Sequence, residues 1–177
     1  MFSVLGLVGS LRVGSHNRRL LLDIAASAPA GVEIAVFDQL QAVPLFDEDV
    51  EDRGVPPGVV ALAAAVAGAD AIVIATPEYN QSMPGVLKNA LDWLSRSSVG
   101  SPLRGKPAAV TGATTGTWGT RLAQRQIRGT LLACGAWVMP SPFLFVPRAG
   151  AEDWDGSALT DFGIALRADL LRLGGAA

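Results

Sequence analysis

The sequence predicts an α/β domain built on a doubly wound, five-stranded parallel sheet with helices on both faces. Short apolar runs rich in β-branched residues alternate with helical patterns along the chain, as right-handed βαβ units require. The run Ala71 to Ala75 is continuously apolar, as expected of a parallel strand covered on both faces. Half of the 177 residues are apolar and only 17% are charged, which suits a stacked core and not a disordered chain. A chain of this length can bury roughly 70% of its unfolded surface, and residues 1–177 are expected to form one domain.

Phe2 to Val8 reads as the first strand, followed by a glycine and hydroxyl loop, Gly9 to Asn17, and a helical run from Arg18 to Ala28. Val32 to Phe37 is the second strand. Asp38 to Pro56 is a long polar connection whose acidic cluster, Asp47-Glu48-Asp49, reads as a solvated face, since its spacing does not match a calcium loop. A helix from Pro57 to Ala67, ended by Gly68, leads to the central strand Ala71 to Ala75. Pro77 and Pro84 then bound a polar loop. Beyond it Val86, Leu87, Ala90, Leu91 and Leu94 recur at helical spacing. After a turn at 103–106, Pro107 to Thr111 is a strand, and its loop runs from Gly112 to Thr120. A helix from Arg121 to Ala133, a last strand within Trp137 to Val146, a polar loop with Trp154 and a helix from Thr160 to Leu173 complete the chain.

Composition narrows the function. A net charge of −2 with scattered arginines gives no basic stripe, so no nucleic-acid partner is expected. The single cysteine, Cys134, rules out a disulfide framework and multi-cysteine metal sites, and the single histidine, His16, rules out most histidine zinc sites. Cys134 sits in the run Leu131-Leu132-Ala133 and reads as a core residue, not a nucleophile. No apolar segment reaches the roughly 20 residues of a spanning helix, and no basic region precedes the N-terminal apolar run. No membrane association is expected, and the protein is expected in the cytoplasm.

Chemistry should sit on the loops at the strands' C-terminal ends. In the first, the Ser10 and Ser15 hydroxyls, the Arg12 guanidinium, the Asn17 amide and the N–H groups at the helix start can surround one terminal phosphate, which the helix dipole also favours. The lysine of G-x-x-x-x-G-K-[ST] and the G-x-G-x-x-G spacing are both missing, so a mononucleotide phosphate is preferred. Helix capping by Ser15 or Asn17 alone is the competing reading. His16 reads as a solvent-facing or phosphate-edge residue and not a general base. The second loop presents Glu78-Tyr79-Asn80-Gln81-Ser82, held semi-rigid by its prolines. In the third, small residues let the backbone approach a flat ring closely, and Trp118 can cover an aromatic ligand or a partner subunit.

The string P-E-Y-N-x-S-x-P-G-x-L-K-N-A-x-D-W-x-S-R over 77–96 resembles the signature of NADPH-dependent FMN reductases, including bacterial quinone, chromate and azo-dye reductases. S-L-R-x-x-S-x-N over 10–17 is similar to the FMN phosphate loop of the same family. The resemblance implies a flavodoxin-like fold with strand order 2-1-3-4-5, in which the loops after the first and third strands lie at the topological switch point. It further implies FMN held by Ser10, Arg12, Ser15, His16 and Asn17 at the phosphate. Pro77, Glu78, Tyr79, Asn80 and Ser82, with Thr114, Thr115 and Gly116, would flank the ring. NADPH or NADH is the implied electron donor. Quinones, azo compounds, metal oxyanions or flavins are the implied acceptors, with the flavin and no catalytic side chain carrying the chemistry. Glu78 is expected to position the backbone with its carboxylate in solvent, and Tyr79 to wall the pocket. Family members carry a P-L-[FY]-[DN] segment, here Pro44 to Asp47, expected beside the flavin pocket. Gly119-Thr120 departs from the usual Gly-Gly pair, and Arg121 stands one position from the usual basic residue.

The resemblance also implies a homodimer, sometimes paired into a homotetramer. Trp118 and Phe143-Leu144-Phe145 are candidates for its interface, and Trp93 for either the interface or the core. Two rival classes are weaker. A flavodoxin-type electron carrier usually has T-x-T-G-x-T and strong acidity, which this chain lacks, and a serine hydrolase using Ser82 or Ser10 lacks G-x-S-x-G. Because the thiol has no part in this chemistry, Cys134→Ala should leave turnover largely intact. Loss of activity with flavin still bound would contradict that assignment.

Overall fold

The structure is a computed structural model and describes residues 1–150, 154 and 156–174. Strands β1 (Phe2–Val8), β2 (Val32–Phe37), β3 (Ala71–Ala75) and β4 (Pro107–Ala113) are parallel in the order β2-β1-β3-β4, as the flavodoxin-like arrangement predicts. The fifth position differs from the single strand expected. Two short strands, β5 (Trp137–Val138) and β6 (Leu144–Val146), pair successively with the start and the end of β4. Pro140 and Pro142 lie between them and have no N–H to donate to a ladder, so pairing lapses there.

The register levels the sheet's C-terminal edge. Val8 lies beside Ala75, Ala75 beside Thr111, and Thr111 beside Leu144, so the loops after β1, β3 and β4 emerge side by side. Successive strand residues point to opposite faces, which explains why these runs are apolar throughout. Leu5, Leu7, Ile72, Ile74 and Val110 pack toward α3 (Pro57–Gly68), α4 (Gly85–Leu94) and α5 (Arg121–Ala133). Val4, Val8, Val73, Ala75 and Ala109 pack toward α1 (His16–Ala26) and α6 (Gly156–Gly174).

Several boundaries shift, and one connection folds as a helix. Helix α1 starts at His16, because Ser15 takes the N-cap position and its hydroxyl accepts from the Arg18 N–H at 3.2 Å. Helix α6 starts at Gly156, so the polar connection read around Trp154 is shorter, and its residues 151–153 and 155 lie outside the described residues. The indole of Trp154 donates to Asp23 at 2.7 Å and lies under the Arg19 guanidinium. The acidic stretch folds as a helix, α2 (Glu48–Arg53), which buries no residue and so carries no apolar periodicity. Asp47 caps it by accepting from the Asp49 N–H at 2.9 Å, and the acids of its first turn suit the helix dipole. Arg96 and Ser98 bind Glu51 from outside and hold its carboxyl below the usual value.

Trp93 is fully buried, donates to the Pro44 carbonyl at 2.9 Å and meets Phe46 edge-on. Of the two roles open to it, it takes the core one. Segment 44–47 is bound to α4 by Asn89, which accepts from the Phe46 N–H at 2.7 Å and donates to the Pro44 and Val43 carbonyls at 2.8 and 3.4 Å. Asn89→Ala strands these buried groups and should destabilise the fold by about 1–3 kcal/mol. Urea unfolding checks this, and an unshifted midpoint would contradict it.

Candidate functional site

The first loop curls back on itself before α1. Arg12 donates from Nη2 to the Gly14 carbonyl, and its backbone N–H reaches the Ser10 hydroxyl at 3.4 Å. The first-turn N–H groups of α1 have no acceptor within the helix, and the dipole concentrates positive potential where Ser15 caps it. Asn17 is braced against β4. Its amide donates to the Ala113 carbonyl at 3.0 Å and accepts from the Ala113 N–H at 2.8 Å, and the residue is buried. The amide oxygen and one amide proton are thereby tied to the end of β4, leaving the second amide proton beside the donors of Ser10, Arg12, Ser15 and the helix start.

The second loop is a two-residue hairpin. Tyr79 and Ser82 exchange both backbone hydrogen bonds at 3.0 Å, and Asn80 and Gln81 between them have φ of 50° and 62°. This is the primed-turn geometry, which glycine usually fills and which costs non-glycine residues roughly 1–2 kcal/mol each. Two side chains hold it. Glu78 accepts from the Leu122 and Ala123 N–H groups at 2.8 and 3.0 Å, capping α5, whose own cap residue Thr120 makes no side-chain capping bond. Its carboxylate is thus bound at a helix start, contrary to the expectation that it faces solvent. From α5, Gln126 accepts from the Ser82 hydroxyl at 2.7 Å and from the Met83 N–H at 3.4 Å, and donates to the Gln81 carbonyl at 3.4 Å.

The third loop is held from the β6 side. Thr114 donates its N–H to Val146 at 3.0 Å, while Ala149 and Arg148 donate to the carbonyls of Thr114 and Gly116, each at 2.9 Å. Behind it Thr120 is fully buried and accepts from Gln124 at 3.0 Å. A Cβ at Gly112 would sit 2.1 Å from the Thr120 hydroxyl oxygen and 2.2 Å from the Thr76 carbonyl oxygen, so only glycine fits. The threonine that departs from the Gly-Gly pattern is therefore a packed structural residue. Trp118 stands 78% exposed at the loop's outer end.

The three loops meet around a cavity of about 320 Å³. Ser10, Arg12, Ser15, His16 and Asn17 line one side, Pro77, Glu78 and Tyr79 a second, and Ala113, Thr114 and Thr115 a third. Asn80, Ser82 and Gly116 are not part of its wall. Ser82 is engaged by Gln126, and Gly116 is tied to Thr114 by its N–H at 3.2 Å. A wall with hydroxyl, guanidinium and helix-start donors on one side and small residues opposite fits a phosphomonoester carrying a flat group.

The model of the NADPH-dependent FMN reductase family matches residues 2–151 of this chain. The chain belongs to the NADPH-dependent FMN reductase family. An NAD(P)H-dependent FMN reductase of Pseudomonas aeruginosa is 43% identical over 159 residues, covering 89% of this chain and 85% of that protein. A quinone reductase of Escherichia coli is 42% identical over 140 residues, covering 78% and 74%. Among solved structures, the flavoenzyme NAD(P)H:(acceptor) oxidoreductase FerB of Paracoccus denitrificans superposes with a TM-score of 0.87 at 30% identity, covering 97% of this chain and 98% of that one.

As an FMN reductase the protein is an oxidoreductase that uses FMN and NAD(P)H. The donor set described above fits that cofactor's phosphate. Sequence reasoning missed Ala113 and Gln126, because each acts through a partner distant in the chain that no local pattern signals. Among the described residues no group of His, Cys, Asp and Glu side chains is arranged to hold a metal ion. Gln126→Ala frees the hairpin while removing about 1 kcal/mol of hydrogen bonding from the fold. It should weaken FMN retention, measured by fluorescence titration, and unchanged affinity would contradict the bracing role.

Proposed function

We propose that this protein passes electrons from a nicotinamide cofactor, through FMN bound in the three-loop cavity, to a small-molecule acceptor. The observation that carries this reading is the convergence of a phosphate-donor loop and a braced hairpin on one cavity, in a chain of the FMN reductase family. The Ser10 and Ser15 hydroxyls, the Arg12 guanidinium and the start of α1 hold the phosphate, with His16 at its edge. Pro77, Glu78 and Tyr79 face the ring with their backbone, braced from behind by Gln126, and Thr114 and Thr115 close the opposite side, with Gly116 tied to Thr114 behind them. Asn80 and Ser82 act by shaping the hairpin, and Asn17 by fixing the distance between the first and third loops. When bound, FMN supplies the two-electron chemistry that no side chain here provides.

Quinones are the favoured acceptors, supported by the quinone reductase similar to this chain. Azo compounds, metal oxyanions and free flavins are further acceptors of the same open site. A hydrolase has little support, since the Ser82 hydroxyl donates to Gln126 and no histidine is hydrogen-bonded to Ser10 or Ser82 in the described contacts. A flavodoxin-type carrier would bind FMN without oxidising NADPH, which one assay separates.

The chain is read as one domain. No helix among the described residues is long and apolar enough to cross a membrane, and action in the cytoplasm is part of this proposal. So is assembly as a homodimer, with pairing into a homotetramer as the alternative. Trp118, Leu122, Leu132 and Phe143 are exposed along the flank of α5, where Phe143 stacks on Phe145 at 5.8 Å, an apolar surface suited to a second copy.

Arg12→Ala should cost on the order of 1.5–3 kcal/mol in FMN binding, with riboflavin bound much more weakly than FMN by the wild type. Equal FMN affinity in Arg12→Ala would refute the phosphate placement. Donor and acceptor that use the same ring face in turn give parallel double-reciprocal lines, and intersecting lines would argue against shared use. If Trp118 lines the partner's site, activity falls on dilution and returns on concentration, whereas a fully active monomer in light scattering would refute that arrangement.

A further inference from the structure

Helix α5 has a side that the electron-transfer reading does not use. Arg121, Arg125 and Arg128 are four and three residues apart, which sets them on one face of the helix. With Leu132, Phe143 and Phe145 they line a cavity of about 410 Å³, within the size range of small-molecule sites. It shares no residue with the three-loop cavity. The Phe143 and Phe145 rings lie parallel with centroids 5.8 Å apart. The Arg121 guanidinium stands 4.9 Å over Phe145, and that of Arg128 stands 4.5 Å over Phe143. Four flat groups thus follow one another in the order Arg121, Phe145, Phe143, Arg128.

The charges of this face are uncompensated. Arg18, Arg19, Arg96 and Arg172 each pair with a carboxylate, whereas among the described residues Arg121, Arg125 and Arg128 pair with none. Like charges at these helical spacings repel one another. Arg128 adds a second cost. Its Nη1 donates to the Met139 carbonyl at 2.7 Å, but Nε and Nη2 are buried without a partner, and burial lowers the guanidinium pKa. A phenyl ring attracts a cation without neutralising it, so the stack on Phe143 leaves the charge in place. An anion in the cavity would relieve both costs, and it would act there at a lower dielectric than in bulk water.

We infer that this cavity binds a planar aromatic carboxylate, its ring against Leu132 and the two phenylalanines and its charge among the three arginines. The apolar wall selects a ring, because a small hydrated anion has no surface to bury there. The arginines select the carboxylate, whose two oxygens match the fork of a guanidinium. Arg125 is exposed and its guanidinium has no partner among the described residues, so it is the arginine free to grip the ligand. Leu132 and Phe143 also belong to the flank suited to a second copy, and there ligand and copy compete. The site does not depend on FMN.

The test is calorimetric titration of the FMN-loaded protein with 2-naphthoate. Binding should saturate and should be about tenfold tighter than that of 2-naphthylmethanol, which keeps the rings and lacks the charge. Arg125→Ala should weaken naphthoate by about tenfold and leave the alcohol unchanged, whereas Phe143→Ala should weaken both. Naphthoate affinity should also fall as salt is raised. Equal affinity for acid and alcohol overturns the proposal, and so does naphthoate binding that Arg125→Ala leaves unmoved. An aromatic acid stacked on the flavin instead would shift the FMN absorption bands and survive Phe143→Ala, which overturns it as well. The flavin-free protein should bind naphthoate equally, so this site and the FMN reading fail separately. No saturable binding at any protein concentration, whether the chain is a monomer or a dimer, refutes the site.

Discussion

The two hydrogen bonds between the Asn17 amide and Ala113 set the spacing on which the whole site depends. Strand β4 runs on past the end of β3. The last backbone bond between them goes from the Thr76 N–H to the Thr111 carbonyl, and two residues later Ala113 again turns its N–H and carbonyl toward that side. No strand is left there to meet them. The Asn17 side chain supplies one donor and one acceptor in the arrangement of a peptide group, and so completes the ladder. The same residue belongs to the first turn of α1. One buried amide thus fixes the phosphate loop against the loop at 114–116, across 96 residues of sequence.

Helix α5 does the same for the hairpin. Asn80 and Gln81 occupy backbone conformations that favour glycine, so their turn must be held by its surroundings. Glu78 on one side and Gln126 on the other bind it to one rigid helix. The capping bonds help both partners, because α5 has no side-chain cap of its own and the hairpin needs a fixed support. Thr120 then packs the start of α5 against Gly112, which links the hairpin's support to the third loop.

Features written in local pattern were legible in the sequence. The bounds of β2, β3 and α5 follow from runs and spacings, and the two motif loops fall where the strand order puts the switch point. Features that depend on a distant partner were not legible. Nothing near Asn17 announces its bonds to Ala113. The carboxylate of Glu78 looked solvated because its acceptors' partners lie 44 and 45 residues on. Helix α2 was missed for a different reason, since a helix that buries nothing has no apolar period to read. The fifth strand was legible as a place but not as two pieces, because prolines interrupt a ladder only where the neighbouring strand continues past them.

The competing sequence readings of Ser15, helix cap or phosphate donor, turn out not to exclude one another. A hydroxyl has lone pairs to accept with and a proton to donate. Ser15 accepts from the Arg18 N–H and still lines the cavity. The pattern extends around the wall. Ser10 accepts from the Arg12 N–H, the Glu78 carboxylate accepts from α5, and the Asn17 oxygen accepts from Ala113. Each of these acceptors is engaged by the protein's own N–H groups. What the wall still presents is hydroxyl protons, a guanidinium, the second Asn17 amide proton and the positive end of α1. Donors gathered at a helix start favour an anion on that side of the cavity, while the Glu78 carboxylate on another side is offset in part by its bonds to the start of α5.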